Sequence, residues 1–123
     1  MIKLVFCLRR KPGTSLAEFQ DYWLNTHAPL VASYAETLRI RRYVQTHTLD
    51  DPATQQAMTR ARGAPENYDG VAELWWDSRE DMIAGVATPE GRSASIALLE
   101  DERKFIDHAN SPLWLSEEHE IVS

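Results

Sequence analysis

A chain of 123 residues fits a single domain, residues 1–123, and can bury roughly two thirds of the surface its unfolded form exposes. Its 43% hydrophobic and 26% charged residues are ordinary globular usage, which excludes a disordered or fibrous chain, and its net charge of -6 would repel a phosphate backbone, which excludes nucleic acid as a partner. No run reaches the about eighteen apolar residues of a membrane span, and the lone Cys7 cannot form an internal disulfide, so a cytoplasmic protein is expected.

The first element is a strand over Ile2 to Arg9. Ile2, Leu4, Phe6 and Leu8 point to one face and Val5 and Cys7 to the other, so both faces read as buried and only Lys3 is left for solvent. The basic cluster Arg9, Arg10 and Lys11 follows this apolar stretch instead of preceding it, contrary to a secretory leader. Pro12-Gly13 then turns the chain. Ser15-Leu16-Ala17-Glu18 is a capping box that opens a helix, with Leu16, Phe19, Trp23 and Leu30 at helical spacing and His27 on the same stripe. Pro29 removes an amide and crowds the Asn25 carbonyl, so the helix is expected to kink or restart near His27, leaving polar backbone beside the imidazole.

A second, weaker strand spans Ile40 to Leu49. The excursion from Asp50 to Asp69 holds a short helix over Ala53 to Arg62 and is long enough to cover a site. Val71 to Trp76 is a third strand, and Asp77 to Glu80 a second capping box whose helix ends at Gly85. Thr88-Pro89 caps a further helix to about Asp107, with Ile96, Leu98, Leu99, Phe105 and Ile106 as its buried side. Leu113 to Val122 closes the chain as a strand. This order predicts an α+β, ferredoxin-like β-α-β-β-α-β fold with helices on one face of an antiparallel sheet. The bare, apolar second face predicts a homodimer that stacks two sheets.

His27 on an apolar stripe reads either as a hydrogen-bonded core residue or as a pocket base. Asp101 shares one helix side with Ala94, Leu98 and Phe105, where a carboxylate is costly unless paired; it is a candidate to orient His27, or an ordinary solvated acid at the edge of the stripe, or the partner of a nearby Arg or Lys. Glu73, between apolar neighbours in a central strand, is a second candidate buried carboxylate. Tyr22, Trp23, Tyr43, Trp75 and Phe105 read as pocket lining for a small hydrophobic ligand or as plain core, with the Tyr43 hydroxyl available to an oxyanion. His47 is a weaker candidate on the strand face of Tyr43 and Gln45. His27, His47, His108 and His119 have no paired ligand spacing, so no metal is expected, and no glycine-rich loop points to a nucleotide or flavin.

The segment Phe19, Tyr22, Trp23, His27, Pro29 and Leu30, in the pattern F-x-x-Y-W-x-x-x-H-x-P-L, resembles the EthD family of dimeric α/β-barrel proteins. Tyr68-Asp69-Gly70-Val71-Ala72-Glu73-Leu74-Trp75 and Asp101-Glu102-Arg103-Lys104-Phe105 extend the resemblance over nearly the whole chain, with Ala53 to Arg62 matching least. It implies a ferredoxin-like homodimer with a pocket between helices and sheet. It also implies kinship with cofactor-independent monooxygenases, muconolactone-type isomerases, polyketide cyclases and haem-binding enzymes. Three functional expectations follow from it. The first is a cofactor-free enzyme of small carbonyl or aromatic metabolites, with His27 moving a proton. The second is a non-catalytic accessory protein that holds a hydrophobic metabolite for a partner oxygenase. The third is haem binding with His27 as axial ligand.

Overall fold

The computed structural model describes all residues, 1–123. Four strands, β1 (Ile2–Leu8), β2 (Arg42–His47), β3 (Gly70–Trp76) and β4 (Leu113–Ser116), form one antiparallel sheet in the order β2-β3-β1-β4. The helices are α1 (Leu16–Tyr22), α2 (Ala28–Tyr34), α3 (Pro52–Arg62), α4 (Arg79–Ala87) and α5 (Pro89–Glu102). This is the ferredoxin-like arrangement that the element order predicts.

Register divides the side chains cleanly. Phe6 lies opposite Ala72 and Leu8 opposite Gly70, and from this face Phe6, Leu8 and Ala72 join Phe19, Trp23, Phe105 and Ile106 in one buried cluster. Alternation therefore sends Lys3, Val5 and Cys7 of β1, Val71, Glu73 and Trp75 of β3, and Arg42, Val44 and Thr46 of β2 to the face away from the helices. That face is less apolar than expected. Lys3 pairs with Glu73 across the strands, Lys3 and Arg42 lie over the Trp75 ring, and the Trp75 indole N–H donates to Glu118 of the C-terminal tail. Trp75 is only 5% exposed as a result.

Most element boundaries follow from their caps, and several differ from expectation. The Ser15–Glu18 capping box forms as read. The next one shifts by a residue: Ser78, not Asp77, accepts from the Asp81 amide at 3.1 Å, and α4 runs past Gly85 to Ala87. Thr88 caps α5, accepting from the Gly91 amide at 2.9 Å, but α5 ends at Glu102, short of Asp107, because the chain turns to pair Arg10 with Ile106. Ile96 and Leu99 are 58% and 41% exposed, so the buried side of α5 is instead Gly91, Ala94 and Asp101. β1 stops at Leu8, and β4 stops at Ser116 without reaching Val122. β2 spans Arg42–His47 rather than Ile40 to Leu49; Arg39 turns the chain at φ +60° just before it.

Before Pro29 the helix restarts, as expected near His27, with α2 beginning at Ala28. A π turn over Trp23–His27 joins α1 to α2, with the Ala28 amide donating to the Trp23 carbonyl and Pro29 placed in the first turn of α2. Widening the helix by one residue absorbs an amide that proline cannot supply. No helix is long and apolar enough to cross a membrane.

Candidate functional site

The π turn delivers His27 into the helical layer, where it is 5% exposed, facing Asp101 near the end of α5, which is 7% exposed. His27 Nδ1 and Asp101 Oδ2 are 2.7 Å apart. The other carboxylate oxygen, Oδ1, accepts from the Tyr22 hydroxyl at 2.6 Å and lies 3.6 Å from Lys104 Nζ. The Phe105 ring packs against both His27 and Tyr22, with ring centres 5.0 Å apart in each case. Burial pushes Asp101 up, but the hydrogen bonds from Tyr22 and His27, with the charges of His27 and Lys104, outweigh it and hold the carboxyl below its ordinary range. Burial, together with the Asp101 bond and charge, pushes the Tyr22 hydroxyl up to about 12, so it remains a donor throughout the neutral range.

This geometry fixes the use of each imidazole nitrogen. An ionised Asp101 only accepts, so Nδ1 carries the hydrogen and the neutral ring keeps its lone pair on Nε2. Every fully enclosed side-chain nitrogen or oxygen in the protein has a hydrogen-bond partner, and Nε2 makes no bond to protein; it therefore keeps solvent contact. The arrangement can take a proton at Nε2 while Asp101 stabilises the resulting imidazolium.

A second polar group lines β2. Tyr43, Gln45 and His47 alternate onto the helix-facing side, and with Leu24 and Ala28 from the π turn and α2 they border a cavity of about 320 Å³. Gln45 Nε2 donates to the Trp23 carbonyl at 2.9 Å and to the Tyr43 hydroxyl oxygen at 2.7 Å, and Gln45 Oε1 lies 2.7 Å from His47 Nε2. The His47 ring stacks on Trp23 with centres 4.4 Å apart. Burial raises Tyr43 and lowers His47 from their ordinary values, which favours the neutral form of each.

The sequence-predicted residues thus separate into three places. His27, Asp101, Tyr22 and Phe105 meet in the helical layer, and Tyr43 lines the β2 cavity. Trp23 is sealed between them at 1% exposure, forming wall rather than surface. Glu73 and Trp75 require correction as pocket residues: strand alternation puts them on the opposite sheet face, with Lys3 and Arg42. Two roles escaped the sequence reading. Tyr22 binds Asp101 instead of lining a pocket, and Gln45 bridges helix and strand, signalled only by its alternation with Tyr43 and His47.

No group of three or more His, Cys, Asp or Glu side chains gathers in ligating geometry. His27 borders none of five surface cavities of about 270–450 Å³, and with Nδ1 held by Asp101 its Nε2 is the one ring nitrogen left for a ligand.

A ferredoxin-like α+β domain with a buried histidine–carboxylate dyad is the class these features define. Residues 11–109 match the family model described as "EthD domain", and the chain belongs to that family. It is 29% identical over 108 residues to the conidial pigment biosynthesis dehydratase EthD of Metarhizium robertsii, spanning 86% of this chain and 74% of that one. It is 27% identical, over 86% of this chain and 75% of the other, to the dehydratase ustZ of Ustilaginoidea virens. An EthD-family crystal structure from Bacillus halodurans superposes with a TM-score of 0.61 at 22% identity, over 97% of this chain and all of that one.

Proposed function

We propose that the protein is a cofactor-independent dehydratase of a small hydrophobic β-hydroxy carbonyl compound, with His27 as its base. The observation that carries this reading is the 2.7 Å contact of His27 Nδ1 with Asp101, which leaves Nε2 as the open basic atom; the dehydratase names of two relatives give the reaction class. Nε2 removes the proton next to the carbonyl, giving an enolate. The same nitrogen then returns that proton to the β-hydroxyl as the carbon–oxygen bond breaks, so an alkene and one water leave and the imidazole is restored. Asp101 holds the ring and stabilises its charged form between the two steps.

Solvent deuterium exchange into small β-hydroxy ketones tests this. Wild type should exchange the α-hydrogen, and a folded His27→Ala variant should lose at least about a hundredfold of that rate; full exchange in the variant would refute His27 as the base.

A second reading, an accessory protein that carries a hydrophobic metabolite to a partner oxygenase, is favoured by one observation: the β2 cavity does not border His27. Binding of a compound released unchanged, without deuterium exchange, would establish it.

In either reading we propose that the chain works as a homodimer in the cytosol, joined through the helix-free sheet face, where Val5, Val44 and Val71 stay only partly buried in one copy. Light scattering at low micromolar concentration should give twice the 14.0 kDa chain mass. A 14.0 kDa species alone would refute the dimer.

A further inference from the structure

The row Tyr43, Gln45 and His47 has a fixed polarity, and the π turn sets it. A backbone carbonyl can only accept, so the Trp23 carbonyl requires the amide nitrogen of Gln45 to face it. The same nitrogen donates to Tyr43, whose own hydroxyl hydrogen is left unspent. Gln45 Oε1 must then face His47, so His47 Nε2 carries the hydrogen and Nδ1 holds the lone pair of the neutral ring. Nδ1 makes no bond to protein, and no fully enclosed polar side-chain atom lacks a partner, so Nδ1 is open as well. The cavity therefore offers one donor, the Tyr43 hydroxyl, and one acceptor, His47 Nδ1.

Two 2.7 Å hydrogen bonds and one amide width separate the Tyr43 oxygen from His47 Nε2, and Nδ1 lies across the same ring, so the two ligand-binding atoms are at most roughly 10 Å apart. That is the reach of a two-ring molecule carrying oxygen at both ends. The opposite wall, Leu24 and Ala28, is apolar, and the 320 Å³ volume suits such a ligand. We propose that this cavity binds a flat two-ring hydroxy ketone, its ketone oxygen accepting from Tyr43 and its phenol donating to His47 Nδ1. Gln45 is the positioning residue that fixes this orientation. The inference does not depend on proton transfer by His27.

Two measurements test it with the full chain. Long-range proton–nitrogen NMR of the ligand-free protein should show His47 with hydrogen on Nε2 and a bare Nδ1, and Gln45→Leu should mix the two tautomers. Hydrogen on Nδ1 in the wild type, or an unchanged tautomer in the variant, would overturn the assignment. The binding probe is 6-hydroxy-1-tetralone, read by titration of the His47 Nδ1 signal. Its 6-methoxy analogue should bind at least tenfold more weakly to wild type but equally to a folded His47→Phe variant. 5,6,7,8-Tetrahydro-2-naphthol, which lacks the ketone, should bind at least tenfold more weakly to wild type but equally to Tyr43→Phe. No binding of the hydroxy ketone up to millimolar concentration, or discrimination that survives in both variants, would overturn the proposal.

Discussion

Asp101→Asn should lower the rate of α-proton exchange by about a thousandfold while leaving the chain folded. The carboxylate now accepts two hydrogen bonds, from Tyr22 at 2.6 Å and from His27 Nδ1 at 2.7 Å. An amide of the same shape offers one accepting oxygen and one donating nitrogen, so one partner must reverse its role. If the nitrogen turns to His27, it donates to Nδ1, moves the ring hydrogen to Nε2 and removes the base; if it turns to Tyr22, His27 keeps its tautomer but loses the anion that stabilised its charged form. Either arrangement blocks the proposed chemistry. A variant within tenfold of wild type would show that the dyad is structural.

The same substitution has a signature in pH. Asp101 is held below the ordinary carboxylate range in the folded protein, so its stabilisation is fully present above the unfolded carboxyl pKa and is lost as pH falls through the lower folded value. Asp101→Asn should therefore cost about 2 kcal/mol at pH 7, with the gap from wild type closing as the solution is acidified. Urea melts at pH 7 and at pH 3 would show this, and a gap that widens in acid would contradict it.

Gly91→Ala is expected to have the largest effect on stability of any conservative change. A Cβ at position 91 would lie 1.9 Å from the Gly85 carbonyl oxygen, which is backbone and cannot swing aside. Gly85 has no slack to give, since its own added Cβ would meet the Leu38 carbonyl oxygen at 2.6 Å. The start of α5 must therefore lift from α4, at a cost of about 3 kcal/mol or more, or roughly 10 °C in melting temperature for a chain of this size. Thermal melts followed by circular dichroism would measure it, with the exposed Ser93→Ala in the same helix as control. Because α5 carries Asp101 at its far end, the exchange rate should fall as well. A Gly91→Ala melt within about 2 °C of wild type would show that the contact yields easily.

How much of this was legible beforehand differed from element to element. β1 and α1 were plain because their signals are local: alternation in Ile2 to Leu8, and a capping box at Ser15. The meeting of His27 with Asp101 was also within reach, since each stood on an apolar helical stripe where an unpaired polar group is costly. The faces of β3 were not. Glu73 and Trp75 look like buried neighbours of a pocket in one dimension, and only their register against Lys3 and Arg42 shows that they look away from it. Ile96 and Leu99 misled for a related reason: the close approach of α4 and α5 at Gly85 and Gly91 decides which side of α5 is covered, and small residues leave little mark in a hydrophobic pattern. The π turn was visible only as a disturbance at Pro29, because a widened turn and a kink answer the same missing amide.

Gly70 begins β3 beneath the Trp23 ring, where an added Cβ would sit 2.5 Å from one ring carbon and 2.8 Å from the next. The indole and the missing side chain are two halves of one shape, brought together from distant points in the chain. Losing the second ring at position 23 would open only part of that space, because the Thr46 carbonyl oxygen would still stand 2.9 Å from the added atom; among descendants of this sequence, then, a bare position 70 should outlast changes at position 23.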